Sequence, residues 1–91
     1  MTYQVLYHPD IPKDLKRIPQ NMREMIKRAI TERLVTDPEA AGQPLRRNLK
    51  GYRKLRAGDY RVIHKIAGNS IVILKIGNRK DVYDTIFSRI D

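Results

Sequence analysis

The sequence predicts an α+β fold in which an early pair of helices covers one face of a late antiparallel sheet. Three observations predict it. Apolar residues recur at helical spacing between Ile11 and Leu34. Two turn pairs, Gly58-Asp59 and Gly68-Asn69, separate three strand-like runs. A short alternating run, YQVLY at residues 3–7, precedes both. The expected order is β-α-α-β-β-β-α: an N-terminal strand, a helical hairpin, a three-stranded antiparallel meander and a C-terminal helix. The helices would pack on one four-stranded, mainly antiparallel sheet. With 91 residues, a second core would not fit, and residues 1–91 are expected to form a single domain.

Each element has its own signal. The β-branched and aromatic side chains of residues 3–7 suit a first strand, which His8-Pro9-Asp10 ends. Asp10 is placed to cap a short helix, with Pro12 tolerated in its first turn. Ile11, Leu15 and Ile18 give it one apolar stripe, and Pro19 stops it. A longer helix is expected from Asn21 to Thr36. Met22, Ile26, Ala29, Ile30 and Leu34 share one face of it, and Arg23, Glu24, Lys27, Arg28 and Glu32 cover the other. Asp37-Pro38 ends it, because a residue before proline avoids the helical region. Residues 38–51 show no period and are expected to form a loop. Strands follow at about 52–57, 60–67 and 70–77. The last of these is nearly all apolar from Ile71 to Ile76, as befits a strand covered on both faces. Asp81 would cap a final helix with Val82, Ile86 and Ile90 on one face.

Composition excludes several chemistries. The chain has no cysteine, so neither a disulfide framework nor a thiolate nucleophile is available. The two histidines, His8 and His64, lie far apart and suggest no metal cluster, so no cofactor or metal is expected. The longest apolar run, Ile71 to Leu74, is far too short to span a membrane. The opening MTYQVLYHPD has no charged leader followed by an apolar stretch, so a cytoplasmic location is expected.

The net charge of +9 is concentrated. Residues 46–65 hold Arg46, Arg47, Lys50, Arg53, Lys54, Arg56, Arg61 and Lys65 against Asp59 alone. The segments on either side are each almost neutral. A patch this dense raises the local concentration of polyanions and speeds encounter with them.

Hairpin geometry sharpens the point. A two-residue turn at Gly58-Asp59 sets Ala57 opposite Tyr60, Arg56 opposite Arg61, Leu55 opposite Val62 and Lys54 opposite Ile63. Leu55 and Val62 then face the core, while Tyr52, Lys54, Arg56 and Arg61 face away from it. Like charges directly across a ladder repel. A bound phosphate would relieve the Arg56–Arg61 conflict. Arg79 and Lys80 follow the central strand, and Tyr83 comes soon after them.

The pairing of YRKLRAGDYRVIHKI with VILKIGNRKDVYDTI resembles the RelE/ParE superfamily of bacterial toxins, specifically its RelE branch. The likeness spans nearly the whole chain and is strongest over residues 49–83. It implies a toxin of a type II toxin–antitoxin system acting as a metal-independent, ribosome-dependent endoribonuclease. Such a toxin cuts mRNA in the ribosomal A site by attack of a ribose 2′-OH on the adjacent phosphate. Carried over by position, Lys54, Arg61, Arg79 and Tyr83 are the catalytic residues. Arg61 and Arg79 would clamp the phosphate, Tyr83 would stack on or orient the base, and Lys54 would move a proton. Where the family carries a second lysine, this chain has Tyr52, so either Tyr83 or Lys54 alone serves as the base, or activity is lower. Arg46, Arg47, Lys50, Arg53, Arg56, Lys65 and Lys80 are left to hold ribosomal RNA or the message. The resemblance also implies a RelB-like, acidic antitoxin as partner. The alternative is a ParE-type inhibitor of DNA gyrase, which cuts nothing.

Overall fold

The computed structural model describes residues 3–45, 51–84 and 86–89. In chain order the elements are strand β1 (Gln4–Tyr7), helix α1 (Ile11–Lys16), helix α2 (Gln20–Ala29) and helix α3 (Pro38–Ala41). Strands β2 (Gly42–Pro44), β3 (Tyr52–Ala57), β4 (Tyr60–Ala67) and β5 (Ser70–Asn78) follow, and a 3₁₀ turn spans Ile86–Arg89. The sheet is five-stranded, in the order β1-β5-β4-β3-β2. Only the β1–β5 pairing is parallel.

The helical hairpin follows from its apolar stripes. Ile11 of α1, Ile18 just beyond it, and Ile26 and Ala29 from α2 are all buried. Beyond α2 the chain widens into a π-helical turn, Ile30–Leu34, closed by the Val35 N–H on the Ile30 carbonyl at 2.9 Å. Ile30 and Leu34 stay in the core through this turn. They meet Leu55, Val62, Ile71, Ile73 and Ile76 from the sheet, and each side chain of this size contributes about 1.5–3 kcal/mol on burial. Asp10 stands at the start of α1 but makes no side-chain cap bond. Its own N–H donates instead to Nδ1 of His8, at 3.1 Å.

Three expectations change. Residues 38–51 are not all loop. Asp37 caps α3 by accepting from the Ala40 N–H at 3.3 Å, and β2 then pairs with the outer edge of β3. Elements of four and three residues are too short to show a period, and β2 raises the strand count from four to five. The final helix is also absent from the described residues. Residues 79–84 form turns, with the Asp81 and Val82 N–H groups both donating to the Asn78 carbonyl. Val82 and Ile86 nevertheless share a face. They are buried with Ile63 and Leu74 in a second cluster, on the side of the sheet away from the helices. An irregularity between Ile63 and His64 in the β4–β5 register adds one residue to β5 there and lets Leu74 join that cluster. Ile71, Ile73 and Ile76 face the helices, so β5 is covered on both sides as its composition implies.

His64 is fully buried. Its Nδ1 lies 2.9 Å from the Val62 carbonyl, and its Nε2 has no hydrogen-bond partner. Burial lowers its pKa below the ordinary 6.5, the bond to Val62 partly opposes this, and the nearby Arg53 charge adds to the lowering. Because the folded state resists the proton, the unfolded chain binds more protons below pH 6.5. Folding stability is therefore expected to be full above that pH and to fall as pH drops through 6.5 toward the lowered folded value. Urea midpoints at pH 7.5 and pH 5 test this. The His64→Gln protein, neutral at both, should lose this part of the difference.

Candidate functional site

The β3–β4 ladder has the register expected from its turn. Arg56 pairs with Arg61, Lys54 with Ile63, and Tyr52 with Lys65. Gly58 makes the turn possible, with φ of 60°. The pleat then puts Lys54, Arg56 and Arg61 on the side of the sheet away from the helices. With Gln43, which β2 places opposite Lys54, they line a cavity of about 220 Å³. A larger cavity of about 700 Å³ lies on the helical side, against Tyr7, Ile11, Leu15, Ile26 and Ile30. Its walls are mainly apolar and its charged residues, Arg23, Glu24 and Lys27, are of both signs, so the cavity lined by Lys54, Arg56 and Arg61 is the candidate for chemistry.

The Arg61 guanidinium is oriented by the turn beside it. Its Nη1 donates to the carbonyls of Gly58 at 2.9 Å and Tyr60 at 2.8 Å. The ion pairs among the described residues are Lys13–Asp10, Arg28–Glu32 and Arg89–Asp14. None of them neutralises Lys54, Arg56, Arg61 or Arg79.

On its other side Arg61 pairs with Gly77 of β5. This glycine matters because Val82 folds back onto it: a Cβ at Gly77 would sit 3.4 Å from the Val82 Cβ and Cγ2. The Arg79 N–H bonds the Asp59 carbonyl at 2.8 Å, so Arg79 emerges beside the turn that carries Arg61. Tyr83 is half-buried against Ile63, Leu74, Val82 and Ile86, and Ile63 is the cross-strand partner of Lys54. The Arg79 backbone thus lies beside the hairpin turn, while neither Arg79 nor Tyr83 lines the cavity of Lys54, Arg56 and Arg61. A Cβ alone is tolerated at Gly77, but two further methyl groups are not. Gly77→Val is expected to lower stability by about 1–3 kcal/mol, read from urea unfolding.

The remaining sequence-predicted contacts divide. Arg56 and Lys80 are exposed, and the Lys80 N–H bonds Oδ1 of Asn78. Lys65 holds its Nζ 5.9 Å from the centre of the Tyr52 ring. Arg53 departs from the expectation. It alternates with Lys54 onto the helical side, where Nη2 donates to the carbonyls of Glu39 and Gly42 at 3.0 and 2.9 Å. It ties α3 and β2 to β3 and does not stand on the cationic face. Arg46, Arg47 and Lys50 lie outside the described residues.

Sequence reasoning missed Gln43, Asp14 and Arg89. Asp14 and Arg89 form a twofold bond, Nη1 to Oδ2 at 2.6 Å and Nη2 to Oδ1 at 2.8 Å. This bonding raises the Arg89 pKa above its ordinary value, against the effect of burial. One signal existed for Asp14: it sits on the apolar stripe of α1, among Ile11, Leu15 and Ile18.

Helices on one face of the sheet, with cations on the other that form no ion pair among the described residues, define a small basic α+β protein with an anion-attracting face. The chain belongs to the RelE/ParE toxin superfamily: the model for the ParE toxin of type II toxin–antitoxin systems matches residues 5–83. It is 31% identical to toxin RelG of Mycobacterium tuberculosis over 85 residues, covering 91% of this chain and 98% of the relative. It is 30% identical over 83 residues to toxin RelE of the same organism, covering 89% of this chain and 86% of the relative. Among solved structures it is similar to a chain of the M. tuberculosis RelBE2 toxin–antitoxin complex. That likeness has a TM-score of 0.80 and 28% identity, over 87% of this chain and 100% of that one.

Proposed function

We propose that this toxin is a ribosome-dependent endoribonuclease that cuts mRNA in the A site and so halts translation. The carrying observation is the cavity lined by Lys54, Arg56 and Arg61, in which two arginines pair across the ladder and no carboxylate is among the lining residues. That arrangement is repulsive when empty and favourable around a phosphate. In the reaction, the ribose 2′-oxygen loses its proton and attacks phosphorus. The P–O5′ bond breaks, the 5′-oxygen takes up a proton, and a 2′,3′-cyclic phosphate and a 5′-hydroxyl result. Arg61 and Arg79 hold the phosphate and stabilise the charge that grows on its oxygens. Tyr83 orients the base from its apolar seat. Proton transfer falls to Lys54 or Tyr83, since a guanidinium is a poor proton shuttle. Arg56, Lys65 and Lys80, with Arg46, Arg47 and Lys50, contact the RNA backbone.

The partner in this reading is an antitoxin of RelB type. It is supported by the RelBE2 complex above and by the similar RelB–RelE complex from Methanococcus jannaschii. Charge alone favours an acidic segment on it. A second reading is gyrase inhibition without cleavage, favoured by the ParE description of the matching family model. A translation extract decides between them. Wild-type protein should cut message within A-site codons, and the Arg61→Ala and Arg79→Ala proteins should leave it whole. Intact message together with blocked gyrase would establish the second reading instead.

A further inference from the structure

β1 pairs with β5 only as far as Ile73, so among the described residues the outer edge of β5 beyond that point has no strand beside it. Two of its backbone groups are satisfied by side chains from opposite layers. Oδ2 of Asp14, from α1, accepts the Ile76 N–H at 3.0 Å. Nη1 of Arg89, from the C-terminal segment, donates to the Leu74 carbonyl at 3.0 Å. The two side chains then bond each other, with 8% and 10% of their areas exposed. The C-terminal segment therefore starts at Asn78, lays Val82 on Gly77, buries Ile86 beneath the sheet and reaches Asp14 in the helical layer. Arg79 and Tyr83 lie between the two anchored ends.

We propose that Asp14 and Arg89 are positioning residues: their latch at the β5 edge holds the segment that sets Arg79 and Tyr83 beside the cations of β3 and β4. This rests on the nuclease reading above. Neither residue lines the cation cavity, so the latch acts on the placement of Arg79 and Tyr83 and leaves the charge of the β3–β4 face as it is. A bond network joining three elements fixes the segment more firmly than the short turns within it can. The cation face that would meet RNA belongs to the sheet and survives if the latch opens.

The test uses the full chain with Asp14→Asn, which keeps the shape and removes the charge. Arg89→Lys, which keeps the charge and loses the forked geometry, is the milder second variant. Cleavage on programmed ribosomes is measured as maximal rate and half-saturating ribosome concentration, and amide hydrogen exchange is followed by residue. In Asp14→Asn the maximal rate should fall about 10- to 100-fold, as misplacement of reacting groups does. Half-saturation should stay within about twofold of wild type. Exchange at the Ile76, Val82 and Asp84 amides should rise well beyond the uniform increase that lower global stability brings to the β3–β4 ladder, with Arg89→Lys between wild type and Asp14→Asn. A wild-type rate in Asp14→Asn overturns the proposal. So does an exchange increase spread evenly over the sheet, which would make the pair a general stabiliser. So does a rise in half-saturation at constant maximal rate, which would make it a binding element. Message left whole by the wild-type protein removes the nuclease reading and the positioning role together, and needs no substitution to be recognised.

Discussion

Arg61→Ala is expected to lower the single-turnover rate of A-site cleavage by about 10²- to 10³-fold, equivalent to about 2.7–4 kcal/mol of transition-state stabilisation. The size follows from where the side chain sits. Arg61 lies in the middle of the cationic face, between Arg56 on one strand and Gly77 on the other. Its Nη1 is held by two turn carbonyls, so the guanidinium needs little reorganisation when charge appears on the phosphate. Among the described residues nothing holds the Arg56 guanidinium in the same way, and Arg56 is exposed, so Arg56→Ala should act mainly on ribosome affinity. Arg61→Lys should lie between wild type and alanine, because an ammonium cannot make the two parallel bonds of a guanidinium fork. The alanine protein should remain folded, since the Gly58 carbonyl it releases is at an exposed turn where water replaces the bond. The measurement is single-turnover cleavage on ribosomes with saturating toxin. A rate within a few-fold of wild type would remove Arg61 from the chemistry and leave the cation cavity without its centre.

The parts of this fold legible in the sequence are those set by local rules. The hairpin register follows from Gly58-Asp59 and from the cost of burying Lys54, and the observed pairs match it from Ala57–Tyr60 back to Lys54–Ile63. The double coverage of β5 was legible in its composition, because a strand buried on one face would alternate. What escaped was set by contacts distant in sequence. Arg53 looks like its neighbours Lys54 and Arg56 in a charge count, yet the pleat turns it to carbonyls that exist only because α3 and β2 return to that edge. The final helix was expected from the spacing of Val82 and Ile86. Both do face one way, but the segment is drawn down onto Gly77 at one end and to Asp14 at the other, with turns at residues 79–84 and a 3₁₀ turn at Ile86–Arg89 in place of one straight helix. Gln43 could not be found without β2. The basic face was therefore visible as charge density, while the membership of the cavity depended on the third dimension.

Asp14→Ala is expected to destabilise the protein by about 3–5 kcal/mol in urea unfolding, a large part of the 5–15 kcal/mol typical of a whole domain. The intact pair is not itself a large net stabiliser, because desolvating two charges offsets much of their attraction. Its removal is costly for a different reason. Truncating Asp14 leaves the Arg89 guanidinium with one tenth of its side chain exposed, its carboxylate gone, and the Ile76 N–H without an acceptor. Each of these is a buried polar group that unfolding would hydrate. The contrast is Arg28–Glu32, an exposed pair one helical turn apart with a separation of 3.8 Å. Glu32→Ala should change stability by no more than about 0.5 kcal/mol, within the range of solvent-screened helix pairs. Salt separates the two further. Raising ionic strength should erase the small Glu32 effect and leave most of the Asp14 effect, since that pair is largely buried and screened less than an exposed one. An Asp14→Ala loss below about 1 kcal/mol would mean that Arg89 swings out to solvent and that the β5 edge is closed by something other than this pair.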